Sequence, residues 1–459
     1  MSDFLFDEFD EVSAKQWKQK IQFDLKGADY NETLVWQSNE GIHVKPFYHQ
    51  DDFKSAPSPI MGQPESWRIG QHVFVDDVVI ANKLAIEAVD RGALAITFVA
   101  DTEFDFEKVF ISFPFSKASV YFEFAFLSEE FYNRLHLFLS KHKAQVYYNI
   151  DIIGNLARSG NWFHSLTKDQ EILLQLLGNY PSEQILAVDT TIYQNAGANM
   201  VQQLAYGLAH VNEYLNRIDH SEIAIKNPGE ITFKVACGSN YFFEIAKLRA
   251  FRKLFATLAR EYNRPETCHF AVIPTKRNKT LYDYNVNMLR TTTEAMSAVL
   301  GGANLVTNLP YDAIYHKSNE FGERISRNQL LILKAESYFD MVSNPADGSY
   351  YIETLTTELA EKALQLFKEI ERGGGFLVML KEGIIQRKIQ ESAQKEQQQF
   401  DDGLLNLVGS NKYMNVKDRM KDKLELYPFV KIKHRKTLIQ PIIEKRLAEK
   451  TEQDRLKNE

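Results

Sequence analysis

Between residues 231 and 258 the chain reads ITFKVACGSNYFFEIAKLRAFRKLFATL. An apolar run at 231–236 breaks at Gly238-Ser239-Asn240, and apolar positions then recur every three or four residues. Tyr241, Ile245, Leu248, Phe251, Phe255 and Leu258 share one face at that spacing, which predicts a strand, a turn and a long amphipathic helix. Gly238 and Asn240 are residues that such a turn needs. Lys247, Arg252, Lys253 and Arg260 fill the other positions and are expected in solvent.

The same alternation runs through the middle of the chain. Strands are predicted at 68–74, 93–100, 119–124, 145–150, 184–190, 231–236, 269–273 and 304–307. Helices are predicted at 76–91, 128–141, 169–177, 199–217, from Tyr241, at 281–300 and at 320–337. No Gly-x-Gly-x-x-Gly follows the first strand, and eight near-equal units favour closure over an open sheet. The fold class is therefore α/β, a (β/α)8 TIM barrel over residues 67–337.

Residues 1–66 read as an extended arm. It comprises a helix at 12–26 capped by Ser13, short strands at 33–36 and 42–46 around Asn39-Glu40-Gly41, and a linker with Pro57, Pro59, Gly62 and Pro64. Such an arm buries little by itself and is expected to wrap a partner. Residues 338–459 form a mostly helical extension, with helices at 354–372 and 376–399 separated by Gly373-Gly374-Gly375. That triplet is a helix stop rather than a phosphate cradle, because no Lys-Ser or Lys-Thr follows. Residues 433–459 are highly charged and expected to fray toward their end.

Composition narrows the class. Apolar residues make up 44% and charged residues 25%, values ordinary for a globular protein. A net charge of −7 argues against a nucleic-acid or anionic-membrane surface. Only Cys237 and Cys268 are present, so no disulfide framework is expected. The acidic opening MSDFLFDEFDE lacks the form of a secretory signal, and no apolar run approaches a membrane span, so a cytoplasmic location is expected. The 31 Phe and 21 Tyr predict a well-filled core or a large apolar interface.

Several blocks in order resemble the barrel domain of adenosylcobalamin-dependent acyl-CoA mutases of the methylmalonyl-CoA mutase family. They are Leu34-Val35-Trp36 with Glu40-Gly41-Ile42, Val44-Lys45-Pro46 and Tyr48; Gln194-Asn195-Ala196-Gly197-Ala198 with Gln203-Leu204-Ala205-Tyr206-Gly207; and Gly238-Ser239-Asn240-Tyr241 continuing to Lys247. Arg290-Thr291-Thr292-Thr293-Glu294-Ala295-Met296 with Gly301-Gly302, Ile325-Ser326-Arg327-Asn328, and Asn344-Pro345-Ala346-Asp347-Gly348-Ser349-Tyr350 complete them. The resemblance spans about residues 10–376. It implies a barrel that binds acyl-CoA through its centre. A flavodoxin-like domain brings adenosylcobalamin over the barrel's top, and a cofactor radical interconverts succinyl-CoA and methylmalonyl-CoA in propionate metabolism.

The departures from the family pattern direct the functional reading. Where the family has an arginine-glutamine-tyrosine triplet on the first strand, this chain has Gly70-Gln71-His72. The family's catalytic histidine position is Ile192, preceded by Thr191 in place of a tyrosine. Isoleucine cannot donate a hydrogen bond to a thioester carbonyl. A cofactor-facing glutamate is replaced by Asn195, whereas Glu294 is retained. The substrate arginine after the fourth strand has Arg158 as its only nearby candidate. None of the eleven histidines lies in the cobalt-ligating aspartate-x-histidine-x-x-glycine pattern, and 338–459 does not alternate strand and helix. No catalytic residue and no metal site is therefore expected. Gln71, Asn195, Asn240 and Glu294 are the positions that could still face a cofactor.

The resemblance thus implies a non-catalytic small subunit of a heterodimeric isomerase. The large catalytic partner would bind adenosylcobalamin and acyl-CoA. Two other readings compete: a catalytic barrel of a split acyl-CoA mutase served by a separate cobalamin protein, and an unrelated barrel hydrolase or lyase. The last would use His72 as base or pair Asp101, Asp151 and Asp189 around a metal, but His72 is more simply a filler of a tyrosine's space. Asp189 before Thr190-Thr191 reads as a turn cap. Arg249, Arg252, Lys253 and Arg260 read as a solvated helix face rather than a site for the CoA diphosphate.

Overall fold

The computed structural model describes residues 10–181, 183–223, 225, 228–431 and 435–459. Residues 1–9, Lys433 and His434, which carry parts of the expectations above, lie outside the described residues.

In the arm, Ser13 caps the helix Ala14–Asp24 in a capping box with Gln16. The first half of the expected strand at 33–36 belongs instead to the helix Tyr30–Leu34, which Asp29 caps. The hairpin survives as β1 (Trp36–Gln37) and β2 (His43–Val44), antiparallel around Gly41 at φ +71°.

Eight parallel strands then close a barrel: β3 (Arg68–Phe74), β4 (Ala95–Ala100), β5 (Ser119–Phe124), β6 (Val146–Ile150), β7 (Gln184–Asp189), β8 (Thr232–Cys237), β9 (His269–Pro274) and β10 (Leu305–Thr307). They pair in chain order, and β10 closes against β3 through Leu305–Arg68, Val306–Ile69 and Thr307–Gly70. This is the (β/α)8 TIM barrel that the alternation requires. Its outer layer includes Val78–Asp90, Glu129–Lys141, Leu166–Asn179, Met200–Asp219, Tyr241–Glu261, Val286–Leu300 and Glu320–Leu331. The last of these continues as a π turn, Ile332–Glu336. Among the described residues, no helix is long and apolar enough to cross a membrane.

The cations of helix Tyr241–Glu261 contradict the solvated-face expectation. Arg249 is fully buried and binds Asp347 and Glu353 of the C-terminal extension, the latter at 2.5 Å. Arg252 donates to the carbonyls of Cys268 and Gly302 and to Asn304. Lys247, 1% exposed, donates to Gln194, Gln203 and the Ala236 carbonyl beside Glu244. A buried charge survives when it is fully hydrogen-bonded, so periodicity located this helix while its tertiary neighbours decided where its cations lie. Lys253 and Arg260 are exposed as expected.

The C-terminal extension begins with Tyr350–Arg372, packed on Tyr241–Glu261 through Arg249. The expected helix at 376–399 is two, Phe376–Lys381 and Ile384–Asp401, broken where Gly383 takes φ +74°. Beyond residue 402 the described residues are largely irregular rather than helical, and the last of them are packed against the rest of the chain. Helix Glu449–Lys457 is followed by Glu459, which accepts from Tyr282 and from the amides of Met420 and Lys421. Buried Glu452 accepts from the Leu281 amide and Arg446.

Candidate functional site

The C-terminal ends of the barrel strands open on a cavity of about 1070 Å³, the place where barrel chemistry is built. Its polar floor is a chain of ion pairs. His72 Nε2 on β3 lies 3.6 Å from Glu123 Oε1 on β5, and Glu123 Oε2 lies 2.8 Å from Lys234 Nζ on β8. Lys234 reaches Asp189 at 3.2 Å, and Arg158 on helix Ile152–Ser159 reaches the same oxygen at 2.5 Å. Burial would raise the Glu123 carboxyl, but Lys234 and His72 hold it down at about 2. Lys234 and Arg158 hold Asp189 well below its ordinary value against the same burial effect. In return, the carboxylates raise Lys234 despite its burial. The lysine is thus locked as an ammonium, which makes it a poor nucleophile.

Asp189 also accepts from the amide and hydroxyl of Thr191, as a turn cap should. Asp151 ends β6 and is consumed by the amides of Gly154 and Asp189, by His210 and by Tyr214. Asp101 lies on a neighbouring recess of about 230 Å³. Among the described residues, no group of three or more His, Cys, Asp or Glu is placed to hold a metal ion.

Below the ion pairs the barrel is filled. Tyr121 and Tyr147 stack with centroids 4.2 Å apart and planes at 1°, both buried. The Tyr121 hydroxyl lies 3.0 Å from His269 Nε2, and Ala95, Leu305 and Ala271 pack around the pair. An eight-stranded barrel is just wide enough for its own side chains, so this layer stoppers the axis. The central passage implied by the resemblance is closed here.

The anticipated positions separate. Gln71 and Asn195 line the large cavity. Asn240 lines a different groove, of about 480 Å³, between the arm and helix Ile384–Asp401. Glu294 lines neither: it is fully buried, 2.7 Å from Lys279 Nζ and hydrogen-bonded by Asn278. Asn195 accepts from Thr275 and the Lys276 amide, and its own amide donates to Glu444. Ile192 is fully buried in the hydrophobic core on the short helix Thr191–Asn195, and Thr191 faces the cavity instead. Gly70 packs so closely on β10 that a Cβ would collide with Thr307 and come within 2.8 Å of Leu305 Cδ1. Arg158 lines the cavity and is already bound by Asp189.

Sequence reading missed Glu123 and Lys234. Each is a charge inside an otherwise apolar strand, Tyr-Phe-Glu-Phe and Phe-Lys-Val, and such a residue must have a partner across the barrel.

Comparison with known proteins agrees with this architecture. The profile of the family described as methylmalonyl-CoA mutase matches residues 99–458. A "methylmalonyl-CoA mutase small subunit" of Porphyromonas gingivalis is 32% identical, covering 92% of this chain and 73% of that protein. One of the same description from Streptomyces virginiae is 28% identical, covering 83% and 67%. A "methylmalonyl-CoA mutase" of Rhizobium meliloti is 28% identical, covering 91% and 66%. With ordered sequence blocks, a closed eight-stranded barrel and a profile match over most of its length, the chain belongs to the methylmalonyl-CoA mutase family.

Proposed function

We propose that this chain is the non-catalytic small subunit of a heterodimeric, adenosylcobalamin-dependent methylmalonyl-CoA mutase. A larger partner performs the chemistry and this chain supports it structurally. The observation that carries the reading is the Tyr121–Tyr147 stack, backed by His269, across the axis along which acyl-CoA would have to thread. Gly70, His72 and Ile192 support it, because none supplies the arginine, tyrosine or histidine of the family pattern at its place. Two relatives named as small subunits support it further.

The residues present do not fit the cofactor. Glu294 is spent on Lys279 and Asn278, and Asn195 on Thr275, Lys276 and Glu444. No chemical step through cobalamin is assigned to this chain; the partner holds the cofactor and the acyl-CoA.

The test is to purify the chain alone and together with a catalytic subunit. Native mass measurement should find a one-to-one complex with cobalamin only in the larger chain. Isomerisation of succinyl-CoA should require the complex. Turnover by this chain with adenosylcobalamin alone would overturn the proposal.

A further inference from the structure

The large cavity has a second arm outside the barrel wall. Along β3, Arg68 and His72 meet interior partners on β5, whereas Ile69 and Val73 belong to the core beneath the helices, as strand alternation requires. Gln71 shares this outward parity and meets Arg327 on helix Glu320–Leu331. The cavity follows it into the gap between that helix and Val78–Asp90, lined by Gln71, Ile80, Leu84, Glu87, Glu323 and Arg327. The inner arm of the same cavity ends on Tyr121 and Leu305 at the barrel axis.

At its inner end Arg327 is only 5% exposed. Its Nη1 donates to Gln71 Oε1 at 2.5 Å, and its Nε is buried without a partner. Among the described residues no carboxylate forms an ion pair with it. Of the other buried cations, Lys247, Arg249, Lys279 and Arg446 each meet a carboxylate, and Arg252, whose Nε is likewise unpartnered, meets the carbonyls of Cys268 and Gly302 and the side chain of Asn304. The acidic neighbours of Arg327 are committed elsewhere. Glu87 and Glu320 pair with Arg91, at 2.6 and 3.4 Å, and Glu323 accepts from Ser318. Burial depresses the Arg327 pKa and the Arg91 charge adds to the effect, against a smaller opposing pull from Glu323 and Glu87. A desolvated guanidinium with open donors is costly unless an anion completes it. At the outer lip, Ile80 and Leu84 are 59% and 40% exposed, an apolar wall leading to a cation.

We propose that this recess is a ligand site for a small amphiphilic anion. Its carboxylate or phosphate binds the Arg327 guanidinium, and its apolar part lies along Ile80 and Leu84. The site does not depend on the small-subunit reading, since it lies outside the barrel axis and involves no chemistry.

The test is calorimetric titration of the whole chain with hexanoate, acetate and inorganic phosphate. Hexanoate should bind more tightly than acetate, because the lip holds its chain; acetate above phosphate marks a carboxylate ligand, and the reverse a phosphate ligand. Arg327→Met should weaken binding about tenfold or more, the loss of a charge-assisted contact. Glu323→Gln should tighten it, because a negative neighbour is removed. No binding of any probe at millimolar concentration, or equal binding by Arg327→Met, would overturn the proposal. If Arg327→Met does not fold, Glu323→Gln decides: unchanged or weaker binding overturns it.

Discussion

Burial, with Arg68 and Arg252 adding to it, carries the His269 imidazole from an ordinary 6.5 down to about 3. The ring is therefore neutral beneath the tyrosine stack. The unfolded chain binds a proton in that window which the folded chain refuses. The contribution of His269 to stability is thus complete above about pH 6.5 and is lost as pH falls toward 3. Thermal unfolding between pH 7 and 5 should show the midpoint falling, and His269→Gln, which can still bond Tyr121, should flatten that slope. An identical slope in the variant would show that this ring does not control it. Glu123 acts in the same direction at lower pH: held at about 2 by Lys234 and His72 against burial, it stabilises the fold above about 4.5 and loses that effect below.

Elements differ in how much of them the sequence exposes. β3 and β5 begin and end where alternation and turn residues place them. Helices Phe106–Val109, Ile152–Ser159 and Thr191–Asn195 were not anticipated, because four to eight residues hold too few turns for a period to register. The burial of Arg249 was illegible for another reason: its partners Asp347 and Glu353 are about a hundred positions away in the chain. For the site, the strand ends were legible, while the Tyr121–Tyr147 stopper depends on which face of each strand turns inward, and barrel curvature decides that. The irregular tail is likewise fixed by tertiary contacts. Gly160, at φ +78°, ends Ile152–Ser159, and its carbonyl accepts from Leu438 and Ile439. A Cβ there would lie 2.8 Å from the Ile439 carbonyl, whereas one on Gly383, at φ +74°, meets nothing within 4 Å. Gly383→Ala should cost about 1–2 kcal/mol, the left-handed backbone penalty alone. Gly160→Ala should cost more and should speed tryptic cleavage near Arg435 and Lys436. Equal losses and equal proteolysis would mean that the tail is not anchored at this glycine.

At the scale of the whole molecule, the arm divides. From Tyr30 onward it lies on its own chain: Ile42 is fully buried, Tyr48 stacks on Tyr351, and Trp36 packs edge-on against Phe243. Among the described residues, helix Ala14–Asp24 meets only the arm itself, through Trp17 edge-on to Phe47, Lys18 over Tyr30 and the Ala14 amide on Asp51; it buries none of its residues, and Trp17 and Phe23 are 49% and 79% exposed. Under the small-subunit proposal that helix is the partner-wrapping part. Removing residues 1–28 should leave the thermal midpoint of the isolated chain unchanged and weaken pairing with the large subunit. Removing residues 1–60 should also destabilise the barrel. Undiminished pairing after the shorter truncation, measured by titration of one chain into the other, would assign the interface elsewhere. The close seating of Gly70 against Thr307 and Leu305 has a consequence for any substitution there. Even a Cβ at this position would run into those two side chains on the neighbouring strand. A single replacement of Gly70 by a long cationic residue would have to displace both of them where β3 and β10 pair. Room for such a residue would come only with concurrent changes at positions 305 and 307.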